Sequence, residues 1–187
     1  MKIAWADESI LDGAYILGAV VLEEEVIQNA RQAAAKLRRP GELKAHWYER
    51  NKKDRDAMIG TLRSLPVSGL IVARVPIIGE RNERQRRKSM ELFLPLLVGS
   101  NVKTVTFESR GPKNDQRDRD MLAAMQAQHR IYAPALTMHH ARGIDEPILW
   151  LADALCGAVV AERHGVNRWW HMVQDFTQLV TLDGSTG

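Results

Sequence analysis

Residues 146–162 read EPILWLADALCGAVVAE, and this stretch predicts the helix around which the fold is built. Pro147 suits a first helical turn, because a first-turn residue needs no N–H partner and the proline ring already fixes a helical φ. Apolar residues then recur at steps of three and four, which is typical of an amphipathic helix. Asp153 lies among them. Because burying an unpaired carboxylate is costly, Asp153 either faces solvent or points at a shared cation.

The length and composition favour a single domain. A chain of 187 residues, of which 45% are hydrophobic, can bury a sizeable core. We expect no membrane span and no signal peptide, because no stretch has the required length or pattern. Cys156 is the single cysteine, and we expect it to serve packing in a reducing cytoplasm.

Basic residues cluster in three segments although the net charge is only +3. The segments are 36–39, 50–55 and 81–88. Such clusters are either solvated helix faces or the contact surface for a polyanion such as DNA or RNA. Charge alone does not distinguish these interpretations.

The rest of the chain predicts an α/β domain with a mixed sheet. Residues 3–6 and 14–22 are apolar and flank the turn signal Asp12-Gly13, so we expect an antiparallel hairpin. Asp7 and Glu8 would lie where its first strand leaves the sheet. Alternating strands and helices follow, and they favour a sheet with helices on its faces. Further strands are expected at 70–78, 102–107 and 132–139, and helices at 23–38, 53–64, 84–97 and 115–128.

Acidic residues mark the ends of predicted elements. Asp7 follows the first strand and Glu108 the fourth, while Asp153 lies in the last helix and Glu42 at a chain reversal. Ligands of α/β sheets favour the crevice outside the carboxyl ends of strands. Oxygen ligands without cysteines suit Mg²⁺ or Mn²⁺, and two such ions can activate a water that attacks a phosphodiester. Each acid also has a structural explanation, as a cap or, for Glu108, as the partner of Arg110.

Taken together, the acidic motifs resemble the domain of unknown function 3800 family, which looks like a branch of the ribonuclease-H-like superfamily. The resemblance covers about residues 3–163 and leaves 164–187 as a C-terminal tail of the same domain. It implies a ribonuclease-H-like five-stranded mixed sheet of order 3-2-1-4-5, flanked by helices. The motifs are Asp7-Glu8-Ser9, Glu42-Leu43-Lys44, Glu108-Ser109-Arg110 and Leu151-Ala152-Asp153.

The resemblance also implies roles for individual residues. Asp7, Glu108 and Asp153 would be metal ligands, and Glu42 would be a fourth. Lys44 would contact a scissile phosphate. The implied activity is that of a nuclease that cleaves DNA or RNA with Mg²⁺ or Mn²⁺.

Several other side chains have a weaker functional interpretation. Arg110 follows a proposed ligand and either neutralises it or holds a phosphate with its fork of donors. Glu8 and Asp118 are candidates for outer positions around the metal, although Asp118 more simply begins a solvated helix. His46 and His164 could act as general acids, but a surface histidine is the simpler interpretation of each.

Two alternatives to a nuclease stay open. Ile10 and Leu11 stand where many family members have glycine and a further acid, which allows a non-catalytic nucleic-acid-binding or assembly module of the same fold. The other alternative is an enzyme of small phosphorylated metabolites, which lacks support because the chain contains no Walker-type or Rossmann glycine pattern.

Two aromatic pairs also have two interpretations each. Trp47-Tyr48 either stacks on bases or anchors a helix to the core. Trp169-Trp170 indicates a covered apolar surface, for which a homodimer contact is one explanation. No element is assigned to residues 169–181.

Overall fold

The computed structural model describes residues 1–128 and 136–183. The strands are β1 (Lys2–Leu11), β2 (Ala14–Glu23), β3 (Ser68–Arg74), β4 (Val102–Glu108), β5 (Thr137–Ala141) and β6 (Thr177–Leu182). The helices are α1 (Ile27–Ala35), α2 (Lys52–Ser64), α3 (Asn82–Gly99), α4 (Pro112–Ala127), α5 (Ile148–Arg163) and α6 (Arg168–Val173). No helix in this part of the chain is long and apolar enough to cross a membrane.

The strands form one mixed sheet of order β5-β4-β1-β2-β3-β6, flanked by helices. The mixed α/β class is confirmed, but the predicted count of five strands is wrong: the order 3-2-1-4-5 is present within a six-stranded sheet, in which β6 lies beyond β3. A sixth strand, β6, pairs in parallel with β3 and extends the sheet. Both α6 and β6 come from residues 164–187, the predicted tail. The predicted strand over 132–139 falls partly outside the described residues, and β5 begins at Thr137.

The β1–β2 hairpin is longer than its apolar residues indicate. Asp12 and Gly13 both have positive φ, 47° and 79°, as in the tight turns whose twist matches that of a hairpin. β1 therefore stays paired with β2 as far as Leu11, whereas its pairing with β4 ends at Ala6. Asp7 consequently lies inside β1, just beyond the end of the β4 pairing, and not at the exit of the strand as predicted.

Five strands point in the same direction. β2 is antiparallel to both β1 and β3, whereas β4, β5 and β6 are parallel to their neighbours. The C-terminal ends of β1, β3, β4, β5 and β6 therefore lie along one edge, which we call the carboxyl edge. In open α/β sheets, ligands bind in the crevice outside this edge.

Helices cover both faces of the sheet. α5 packs on β1 and β2 and is itself covered by α1, α2 and α6, so it is enclosed rather than half-exposed. Cys156 of this helix is fully buried, as expected. The opposite face carries a second apolar core, built from α3, α4 and the other side of the same strands.

Two tryptophans with a proposed surface role belong to the core. Trp47 and Trp169 meet edge-on, with their ring centroids 5.2 Å apart, and both are buried. Trp170 packs against the same core. The tryptophan pair near the C-terminus is therefore covered by its own chain, which removes the reason for inferring a homodimer contact there. Gly157 of α5 lies under Trp47, where a Cβ atom would overlap the indole ring.

Candidate functional site

Three predicted ligands converge at the carboxyl edge, on the face covered by α5. Ala6 of β1 pairs with Phe107 of β4, so the following residues, Asp7 and Glu108, come from neighbouring strands. Side chains alternate along a strand, and both carboxylates share the face of the α5 core. α5 adds Asp153. Burial, and next the charges of Asp153 and Glu108, raise the pKa of Asp7 well above its ordinary range.

The loop between α1 and α2 brings two nitrogen groups to these carboxylates. Lys44 Nζ donates to Glu108 Oε1 over 2.6 Å. His46 Nδ1 lies 2.6 Å from Asp153 Oδ2, and the backbone N–H of Trp47 donates to the same oxygen over 2.8 Å. Asp153 is only 7% exposed, so it does not face solvent. Its partners, His46 and Trp47, lie far from it in the sequence.

These contacts strengthen the basicity of both loop side chains. The hydrogen bond to Asp153 raises the pKa of His46 above its ordinary value. Burial lowers the pKa of Lys44, but the hydrogen bond and charge of Glu108 outweigh it, and the net pKa is raised. The oxygen Asp7 Oδ1 accepts the backbone N–H of Glu8 over 2.8 Å. Two of the three carboxylates are thus held by loop side chains, and the third by the backbone.

A cavity of about 200 Å³ opens beside these groups, and we call it the carboxylate cavity. A water molecule takes about 30 Å³ in the liquid, so the cavity has room for several waters or for a polar ligand. Its charged and polar lining residues are Asp7, Glu8, Lys44, His46, Arg86, Glu108, Ser109 and Arg110.

The oxygen donors of this site fit a hard divalent cation. No family model and no curated protein matches the chain. In residues 1–128 and 136–183, no group of three or more His, Cys, Asp or Glu side chains is already arranged to hold a metal ion. However, Asp7, Glu108 and Asp153 offer carboxylate oxygens, which Mg²⁺ and Mn²⁺ prefer. A divalent cation would also relieve the repulsion that raises the pKa of Asp7.

The acids on the opposite face of the sheet form a closed network. Glu8 is the next residue after Asp7 and therefore points to the other side. Arg86 of α3 donates to Glu8, and it reaches both oxygens of Asp118 over 3.0 and 2.6 Å. The hydroxyl of Tyr15 also donates to Glu8, and His140 Nε2 lies 3.2 Å from Asp118. We call Glu8, Tyr15, Arg86, Asp118 and His140 the arginine network.

For Asp118, the hydrogen-bonded and charged partners together affect the pKa more strongly than burial does. Burial raises the pKa of Asp118, but hydrogen bonds from His140 and Arg86 lower it below its ordinary range. Burial raises the pKa of Tyr15 and lowers the pKa of Arg86. Glu8 and Asp118 had been expected as outer positions around a metal. The structure places Asp118 with Arg86 on the face opposite to Asp153, whereas Glu8, which also binds Arg86, lines the carboxylate cavity.

Glu42 is not among the residues that line the carboxylate cavity. It accepts two hydrogen bonds from Arg50, over 2.7 and 2.5 Å, and one from the backbone N–H of Arg39 over 3.0 Å. The hydrogen bonds with Arg50 are the main cause that lowers the pKa of Glu42 to about 2. Glu42 therefore anchors the base of the loop that holds Lys44 and His46, and the structure does not bring it to the other acids.

Arg110 reaches the carboxylate cavity. Its guanidinium donates to Asp118 over 3.3 Å and to Glu83 over 3.2 Å. The Nε atom is buried and has no hydrogen-bond partner within the described ranges. Nε also lies 3.9 Å from Glu8 Oε1. Arg110 is therefore paired with Glu8, Glu83 and Asp118, and Nε remains a donor that an anion in the cavity could use.

His46 is the site residue that sequence reasoning missed, because a surface position was its simpler interpretation. The sequence signal was its place two residues after Lys44, and in the structure His46 is extended, with φ −114° and ψ 125°. Alternate residues of an extended segment point to the same side. His164, the other candidate, lies on the surface 3.8 Å from Asp12.

Proposed function

We propose that this protein is a divalent-metal-dependent nuclease that hydrolyses phosphodiester bonds of DNA or RNA. The observation that carries the proposal is the convergence of Asp7, Glu108 and Asp153, in which the charges of two carboxylates add to burial in raising the pKa of the third. These residues would hold Mg²⁺ or Mn²⁺. When bound, the metal would polarise a phosphate and lower the pKa of a coordinated water.

The side chains around the carboxylates have roles that do not depend on the metal. Lys44 has three N–H donors, and Glu108 uses one of them, so the others can contact a phosphate oxygen. Arg110 can contribute its Nε, which makes no hydrogen bond in the described ranges although it lies 3.9 Å from Glu8 Oε1. His46 and the backbone of Trp47 fix one oxygen of Asp153 and thereby leave the other for a ligand.

A non-catalytic nucleic-acid-binding module is the second candidate. A specific observation favours it: Glu108 and Asp153 already have Lys44 and His46 as partners. A metal ion would compete with these contacts. If the Lys44–Glu108 and His46–Asp153 pairs persist in solution, the carboxylates belong to a structural ion-pair cluster. The basic segments 36–39, 50–55 and 81–88 then serve nucleic-acid binding alone.

A Mn²⁺ titration by calorimetry tests the metal site first. Asp153→Asn keeps the shape of the side chain and removes its charge, so we expect it to weaken Mn²⁺ binding at least about tenfold. The matched control is Asp145→Asn. Asp145 is an exposed acid that pairs with Arg142 over 2.6 Å, and its loss should leave Mn²⁺ affinity unchanged.

Cleavage assays then separate the two candidates. Labelled single- and double-stranded DNA and RNA are incubated with wild type, Asp7→Asn, Asp153→Asn and Asp145→Asn, in Mn²⁺ or in EDTA. The nuclease proposal expects cleavage by wild type and Asp145→Asn in Mn²⁺ only. Equal cleavage by Asp153→Asn would contradict it. Binding without cleavage by every variant would favour the non-catalytic module.

A further inference from the structure

A second cavity, of about 510 Å³, opens at the end of β3. Four of its lining residues are cations and one is an acid, so its lining has a net positive charge, whereas acids and cations balance in the lining of the carboxylate cavity. We call it the basic cavity. Its lining residues are Arg74, Ile77, Ile78, Gly79, Glu80, Arg81, Arg84 and Lys88.

Arg74, the last residue of β3, has a donor without an acceptor. Its side chain is only 5% exposed. Nε and Nη2 donate to the two oxygens of Glu80 over 2.9 and 3.1 Å. Nη1 is buried and has no hydrogen-bond partner in the described part of the chain. Because an unsatisfied buried donor is costly, the cavity favours a ligand that supplies an acceptor oxygen.

The helix that begins at this cavity adds a second attraction for anions. α3 is 18 residues long, and its N-cap, Arg81, gives no side-chain hydrogen bond to the first turn. The first N–H groups of a helix lack intrahelical acceptors and lie at the positive end of the helix dipole. Such an end binds phosphate groups. Arg84 and Lys88 are one helical turn apart and line the same cavity.

We infer that the basic cavity binds a phosphate of the nucleic-acid backbone whose neighbouring segment occupies the carboxylate cavity. Both cavities lie at the carboxyl edge. The first half of α3 stands between them, since Arg86 lines the carboxylate cavity while Arg84 and Lys88 line the basic one. The choice of a nucleic acid rests on the proposed function, whereas the binding of phosphate does not. The fully exposed Ile78 beside the cations makes an anionic lipid surface the competing source of phosphate.

Fluorescence anisotropy with a labelled single-stranded oligonucleotide tests the inference, and EDTA excludes cleavage. The variant is Arg84→Gln/Lys88→Gln. The matched control, Arg87→Gln/Arg117→Gln, also removes two cations, one from α3 and one from α4. Both residues are exposed, and neither lines the basic cavity. We expect the first variant to weaken binding at least about fivefold and to reduce the slope of log K against log salt by about 0.7, because the cavity binds one phosphate and each single-strand phosphate contact contributes about 0.7. The control should change the affinity less than about twofold.

Three results would overturn the inference. Equal losses in both double variants would show diffuse attraction, and no loss in either would show that the basic cavity is not used. Vesicles containing anionic lipid provide the third: if Arg84→Gln/Lys88→Gln loses vesicle binding but keeps oligonucleotide binding, the phosphate belongs to a lipid. The anisotropy assay contains EDTA and therefore measures binding independently of cleavage. Failure of the nuclease proposal, seen as absent cleavage, is therefore distinct from failure of this one.

Discussion

Asp7 and Glu8, two adjacent acids of β1, have opposite electrostatic environments on the two faces of the sheet. Glu8 belongs to the arginine network, where Arg86 binds both Glu8 and Asp118. Asp7 belongs to a group of three carboxylates, in which burial and like charges raise its pKa. A single step along the strand thus separates a carboxylate that is neutralised within the fold from one that costs stability when ionised. Titratable groups under such strain are candidates for function.

The largest expected effect comes from breaking the arginine network. Arg86→Met removes the buried cation that binds Glu8 and Asp118 and leaves them the more distant Arg110; removing one partner of a buried ion pair costs about 3–5 kcal/mol. Urea unfolding followed by tryptophan fluorescence measures the loss. Arg87→Met, at the exposed next position, should change the free energy of unfolding by less than about 0.5 kcal/mol. Equal stabilities of the two variants would show that the network does not stabilise the fold.

Asp118→Asn tests the same network through pH. The folded-state pKa of Asp118 is below its ordinary value of 3.8, so its stabilising effect is complete above that pH and is lost as pH falls through the folded pKa. At neutral pH we expect Asp118→Asn to be less stable by about 2–3 kcal/mol, since hydrogen bonds to charged groups are lost. The difference between the variant and wild type should shrink on acidification in paired urea titrations, and a constant difference would contradict the assignment.

Asp7→Asn should have the opposite sign. The folded-state pKa of Asp7 is above its ordinary value of 3.8, so its ionisation costs stability, and wild type loses stability relative to the variant as pH rises from there to the folded pKa. We expect the variant to be more stable at pH 8 by on the order of 1 kcal/mol, and about equally stable near pH 4.

Mn²⁺ sharpens this test, because a ligand stabilises the state that binds it. Wild type should gain stability with Mn²⁺ concentration at pH 8, whereas Asp7→Asn should not. Asp12→Asn, an exposed position in the same hairpin, is the control and should respond like wild type. If Asp7→Asn is the less stable protein at pH 8, Asp7 is not under electrostatic strain.

Glu42→Gln should have the smallest effect on the site. Since Glu42 is bonded to Arg50 and, unlike Asp153, is not among the charges that shift the pKa of Asp7, we expect the Mn²⁺ affinity of Glu42→Gln to stay within about twofold of wild type, against at least about tenfold for Asp153→Asn. Calorimetry measures both. Glu49→Gln, exposed on the same loop, is the control. A tenfold loss in Glu42→Gln alone would make Glu42 a ligand after all.

The parts of the fold that could be predicted are those with continuous or periodic apolar sequence. α5 and β2 have long apolar runs that permit few alternatives. β6 could not be predicted, because none of its residues is buried: Leu179 is 39% exposed, and the strand is held mainly by its backbone pairing with β3.

The candidate site also has a part that could be predicted from the sequence and a part that could not. The proximity of Asp7 and Glu108 follows from strand register, which the apolar pattern of β1 and β4 largely determines. The environments of Glu42 and His46 depend on the path of a long loop. Glu42 is an anchor because the Arg50 side chain turns inward to meet it, and no local pattern distinguishes an acid that meets an arginine from one that faces a metal.

Gly157 has no functional group, yet its position is as restricted as that of Asp153 one helical turn earlier. The ring of Trp47 occupies the space of a Cβ atom at residue 157, and the N–H of Trp47 holds Asp153. Any larger residue at 157 would push the loop away from the carboxylate. In a saturation mutagenesis screen for Mn²⁺ binding, Gly157 would therefore rank with the proposed ligands. A map of mutational sensitivity would extend the candidate site by a full turn of α5.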